Sequence, residues 1–159
     1  MHISELIGVD RIIPRLRAGS KMEVLRSVAR RAAELVGLDE RAVLDALLTR
    51  EIEDTTGIGA GVAIPHCHLA ELDRSYGFFA RLEVPVDFDA ADGKPVDLVF
   101  LLMVRENGGP DYLDTLARVL RIFRAEATRR TLRGQTTASD ILDILFAASS
   151  GGADSREDM

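Results

Sequence analysis

The chain has 159 residues, 47% of them hydrophobic and 29% charged, which suits one domain with a full core and is too apolar for a disordered chain. Its net charge of −6 argues against broad nucleic-acid binding and against docking on an anionic membrane, and is compatible with a basic protein partner. The single cysteine, Cys67, rules out an internal disulfide, and no run has the length of a membrane span or a secretory leader, so no membrane insertion and a cytoplasmic protein are expected.

Ile12-Ile13-Pro14 reads as a short edge segment, because Pro14 has no N–H to give a ladder. Ser20-Lys21-Met22-Glu23 is a capping box that opens a helix. Val24, Leu25, Val28, Ala32, Leu35 and Val36 form its apolar face, and Gly37 ends it. Asp39 caps a second helix carrying Val43, Leu44, Leu47 and Leu48, expected to run to about Arg50. A glycine-rich turn follows, then a short strand over residues 62–64. Tyr76, Phe78, Ala80, Leu82 and Val84 alternate with Gly77, Phe79, Arg81 and Glu83, which predicts a strand with one buried face. Asp92-Gly93 signals a turn. Residues 98–104 are a continuous apolar run of strand length, as a central strand requires. Gly108-Gly109-Pro110-Asp111 breaks the chain before a helix carrying Leu113, Leu116, Val119, Leu120 and Phe123. A last helix opens near Thr137-Ala138-Ser139-Asp140, another capping box, with Ile141, Leu142, Leu145 and Phe146 on its apolar side. Residues 149–159 are small and polar and are expected to be a disordered tail. There is no internal repeat. Adjacent strands between helical segments predict an α/β fold with a central mixed β-sheet flanked by α-helices.

The run Thr55-Thr56-Gly57-Ile58-Gly59-Ala60-Gly61-Val62-Ala63-Ile64-Pro65-His66 carries the chemistry. It sets one histidine after a short apolar segment, behind three glycines. Imidazole ordinarily titrates near neutrality, so it can serve as a neutral nucleophile. Gly57, Gly59 and Gly61 allow backbone N–H groups to approach an anion, although glycines in tight turns are common for purely conformational reasons. The run is not a dinucleotide fingerprint, because it follows a helix and precedes a strand. Arg50 stands at a helix end just upstream. It can recognise phosphate bidentately, or simply complement the helix dipole. Thr55 and Thr56 can donate to a phosphoryl group, or serve as turn residues.

Gly57-Ile58-Gly59 followed by Gly61-Val62-Ala63-Ile64-Pro65-His66, with Arg50-Glu51 upstream, resembles the EIIA signature of the mannitol/fructose/nitrogen class of the bacterial phosphotransferase system. Ile3-Ser4-Glu5-Leu6-Ile7, the segment from Leu82 to Phe88 and that from Pro95 to Phe100 resemble its nitrogen-regulatory branch. The resemblance covers about residues 1–148. It implies the same mixed sheet with the histidine at one edge. It implies that His66 accepts a phosphoryl group from an HPr-like histidine phosphocarrier protein, by positioning and charge stabilisation and without metal or organic cofactor. It places Thr56 at the motif's Ser/Thr position and favours a phosphoryl-binding role for Arg50. The absence of a sugar-binding or membrane domain in the sequence favours regulation of cytoplasmic targets, such as a kinase, a transporter or an enzyme.

The chain departs from the family's pattern in two places. Where it usually has a His-Leu pair opening the helix after the central strand, this chain has Tyr112-Leu113. A tyrosine hydroxyl can donate to a phosphate oxygen but cannot become cationic near neutral pH. Tyr112 can equally be a helix residue packing on the core. The alternative function is therefore an interaction module of the same fold that has lost phosphorylation. Where the family often has Gly-Lys after the active histidine, this chain has Cys67-His68. If the strand continues, His66 and His68 share a face while Cys67 points away, which leaves a metal site without a third ligand. Cys67 reads as a buried small hydrophobe or as a redox-sensitive thiol.

Overall fold

A computed structural model describes residues 3–105 and 111–157. The long apolar run forms β6 (Val96–Arg105), whose residues from Leu98 to Val104 are all buried. Successive strand side chains face opposite ways. Leu98, Phe100, Leu102 and Val104 therefore enter one hydrophobic cluster, and Val99, Leu101 and Met103 another. Beside β6 lies β5 (Tyr76–Val86), antiparallel, and beyond it β1 (Ile12–Leu16), parallel to β5 and at the sheet's edge, where Pro14 is tolerated. On the other side of β6 run β3 (Val62–Ala63) and, after Pro65, β4 (His66–Leu69), both parallel to it. The short β2 (Gly57–Gly59) pairs antiparallel with β3. The order β1-β5-β6-β3-β2, with β4 also on β6, is a mixed sheet.

Helices cover both faces. α2 (Lys21–Val36) and α3 (Glu40–Glu53) pack on the Val99 face. α1 (Ile3–Leu6), α4 (Asp111–Arg124), α5 (Glu126–Arg133) and α6 (Ala138–Glu157) pack on the Phe100 face. Ser20 Oγ accepts the Glu23 N–H at 3.2 Å and Asp39 Oδ2 accepts that of Ala42 at 3.0 Å, so both expected caps form. Thr137 Oγ1 likewise accepts the Asp140 N–H.

Several expectations change. β5 is buried on both faces in its first half, because helices cover both sides of the sheet, and Phe79 stacks against Phe123. Gly77 makes that packing possible: a Cβ there would lie 2.7 Å from Phe100 Cζ. Leu35 and Leu113 are exposed, the core sides of their helices being Val28, Ala29 and Ala32 in α2 and Thr115, Val119 and Phe123 in α4. α3 continues to Glu53, α5 breaks what read as a connection, and α1 and a 3-10 turn over Val9–Arg11 precede β1. α6 runs over Ala138–Glu157 and is anchored by Ile141 and Leu145. The expected break at Gly108-Gly109-Pro110 lies outside the described residues. Among the described residues no helix is long and apolar enough to cross a membrane.

Candidate functional site

The site grows from the end of α3. Glu51, whose side chain is 6% exposed, turns under the chain and pairs with Lys21 Nζ of α2 at 2.7 Å. The same carboxylate accepts the Thr56 N–H at 3.2 Å and the Thr56 hydroxyl. Thr55 is tied as well, its hydroxyl donating to the Phe88 carbonyl and accepting the Gly57 N–H. These bonds fix the start of β2.

The glycine run then forms a hairpin turn. Gly59 and Gly61 have φ of +102° and +80°, with Ala60 between them at +57°. Two glycines are required there, and the left-handed alanine is held from both sides. Its N–H donates to Asp92 Oδ2 at 2.8 Å, and its carbonyl accepts from the Arg133 guanidinium at 2.7 Å. Asp92 is held below the usual carboxylate range by the Ala60 and Lys94 N–H groups.

β3 leads through Ile64 and Pro65 to His66, the first residue of β4, opposite Leu102 of β6. The imidazole is half-buried. Its Nδ1 lies 2.9 Å from the Ile64 carbonyl, and its Nε2 lies 3.1 Å from Arg50 Nε. A carbonyl only accepts, so Nδ1 carries the proton and Nε2 the lone pair. The Arg50 Nε–H donates to that lone pair, while a terminal guanidinium nitrogen donates to the Asp54 carbonyl at 2.8 Å. Burial lowers the His66 pKa below its ordinary 6.5, and the positive charge of Arg50 lowers it further against the opposing Ile64 hydrogen bond. The ring is neutral at neutral pH.

Cys67 points the other way into the core, where burial pushes its thiol up to about 12. It is neither a redox-sensitive thiolate nor a co-ligand for the two histidines. No group of three or more His, Cys, Asp or Glu side chains that could hold a metal occurs among the described residues. His68 returns to the face of His66 and is exposed. Tyr112, in the first turn of α4, is partly buried against the core and also faces the site. Its ring centroid lies 6.1 Å from that of His66 and 4.6 Å from that of His68.

An open cleft of about 470 Å³ is lined by Thr49, Arg50, Glu53, His66, His68 and Tyr112. Of the residues singled out from the sequence, it gathers His66, Arg50 and Tyr112. Thr56, Gly57, Gly59 and Gly61 do not line it. Thr56 is buried and engaged with Glu51, and the glycines build the hairpin that delivers β3. Sequence alone assigns no role to Glu51 and offers His68 only as a metal ligand. The signals for them were the five-residue step from Glu51 to Thr56 and the period of two from His66 to His68. Chemically, the cleft offers a neutral nucleophilic nitrogen beside a guanidinium.

Residues 5–148 match the family model described as phosphoenolpyruvate-dependent sugar phosphotransferase system, EIIA 2. The nitrogen regulatory protein of Bradyrhizobium diazoefficiens is 46% identical over 145 residues, covering 91% of this chain and 95% of that protein. That of Escherichia coli K12 is 34% identical, covering 91% and 90%. The crystal structure of nitrogen regulatory protein IIA-Ntr from Neisseria meningitidis superposes with a TM-score of 0.86 at 34% identity, over 90% of this chain and 98% of that one.

Proposed function

This chain belongs to the EIIA 2 family of the phosphoenolpyruvate-dependent sugar phosphotransferase system, among its nitrogen regulatory proteins, and we propose that it is a phosphocarrier that accepts a phosphoryl group on His66 Nε2. The observation that carries this is the hydrogen bond from Nδ1–H to the Ile64 carbonyl, which leaves the Nε2 lone pair facing the cleft beside Arg50. The donor is the phosphohistidine of an HPr-like carrier protein. Nε2 forms a bond to phosphorus as the donor's P–N bond breaks, and the bonding pair stays on the donor ring. The donor ring, protonated on its other nitrogen, leaves as neutral imidazole. The His66 ring takes up the positive charge, which its Nδ1–H shares with Ile64. No net proton is exchanged. Arg50 gives up its hydrogen bond to Nε2 and donates instead to a phosphoryl oxygen.

Ile52 of α3 and Leu113 of α4 are exposed apolar side chains available to a carrier, and the chain's net −6 suits a basic one. The phosphorylation state then changes binding to regulated cytoplasmic proteins. One observation favours the second reading, an interaction module without phosphorylation: Tyr112 brings a neutral phenol to the cleft. The deciding experiment is phosphotransfer from the charged carrier, read by intact mass beside His66→Ala. The phosphocarrier gains one phosphoryl group in the wild type and none in the variant. An unlabelled, folded wild type with an active donor selects the interaction module.

A further inference from the structure

Three rings share the cleft: His66, His68 and Tyr112. Alternation along β4 puts it on the face of His66, about 6.6 Å further along the strand. Both ring nitrogens of His66 are engaged, Nδ1 by Ile64 and Nε2 by Arg50. Those of His68 have no hydrogen-bond partner among the described residues. Its ring is nevertheless placed, edge-on against Tyr112 at 64° and 4.6 Å between centroids. The Tyr112 ring also reaches toward His66, so the three form one wall of the cleft that Arg50 closes from α3. A phosphoryl group on Nε2 presents three oxygens. Arg50 approaches from one side only.

We propose that His68 is a second phosphoryl-binding residue of this site, its free ring N–H donating to an oxygen of the phosphoryl group on His66 while Tyr112 holds the ring in place. This rests on the phosphocarrier reading. It gives Tyr112 a positioning task and puts the second donor on β4. An imidazole N–H can donate to a phosphoryl oxygen, whereas the Glu53 carboxylate that also lines the cleft only accepts.

The test separates packing from donation. His68→Phe keeps an aromatic ring for Tyr112 and removes the N–H, whereas His68→Gln keeps an N–H and removes the ring. Phosphoramidate serves as a small donor: Nε2 bonds to phosphorus, the P–N bond breaks, and its electron pair leaves with ammonia. The HPr-like carrier serves as the protein donor. With both, His68→Phe is expected to slow labelling of His66 roughly tenfold at saturating donor, the loss of one hydrogen bond to a charged group. His68→Gln is expected to recover most of that rate. The ³¹P resonance of phospho-His66 is expected to move in His68→Phe and to return toward the wild-type position in His68→Gln. Wild-type rates and an unmoved resonance in His68→Phe would overturn the inference while the phosphocarrier reading stands. A wild type that neither donor labels would overturn that reading and this one with it. If His68→Phe melts well below the wild type, His68→Gln against His68→Ala gives the same comparison: equal rates in the two overturn the inference.

Discussion

Lys21→Met probes the strut beneath the site. It removes the ammonium 2.7 Å from Glu51 Oε2 with little change in length and leaves a carboxylate that is 6% exposed. Breaking a buried pair costs about 3–5 kcal/mol when the remaining charge is stranded. Here Thr56 still supplies an N–H and a hydroxyl, and water reaches in where Lys21 is 21% exposed. The expected cost is therefore about 2–3 kcal/mol. For a domain of this size that lowers the melting temperature by about 4–12 °C. Circular dichroism at two wavelengths measures it and checks that the transition is two-state. Adding Glu51→Gln should recover part of the loss, since a carboxamide is less costly to bury than an unpaired carboxylate. A Lys21→Met protein melting within about 2 °C of the wild type would refute the reasoning. So would a double variant no more stable than Lys21→Met alone.

Arg50→Lys keeps the charge but loses the fork that spans Asp54 and Nε2. Labelling of His66 should fall about tenfold or more, and an unchanged rate would remove Arg50 from phosphoryl binding. The His66 ring should titrate below 6.5 by NMR, because burial and Arg50 both disfavour its cation. The unfolded chain then binds more protons just below pH 6.5. The contribution of His66 to stability is complete above the unfolded value and lost as pH falls through the folded one. A midpoint at or above 6.5 would contradict the burial argument. Gly77→Ala puts a Cβ 2.7 Å from Phe100 and should cost about 1–3 kcal/mol by chemical denaturation; wild-type stability would show that the two-sided packing yields freely.

The sequence carried the elements whose pattern is local. Capping boxes at Ser20 and Thr137, the apolar run of β6 and the step from Ile64-Pro65 to His66 all have their cause within a few residues. It did not carry what depends on the second layer of helices. Phe79 and Phe78 look like opposite faces of a half-buried strand until helices on both sides claim them. Leu113 fits an apolar period of α4 but is exposed, the buried stripe running instead through Thr115, Val119, Ile122 and Phe123. At the site, residue type and order single out His66 and Arg50, and a helix start singles out Tyr112; the fold brings these three to one cleft. Where the donors of the loop from Thr56 to Gly61 turn cannot be read from its composition. The Thr56 N–H and hydroxyl go to Glu51, the Gly57 N–H to Thr55 and the Ala60 N–H to Asp92, a partner 32 positions along the chain.

The tautomer is the central claim, and ¹⁵N–³¹P NMR of the phosphorylated, ¹⁵N-histidine-labelled chain tests it directly. A single phosphoryl group is expected on His66 Nε2, with Nδ1 still protonated and hydrogen-bonded to Ile64. Phosphorus on Nδ1, or on any other residue, would contradict it.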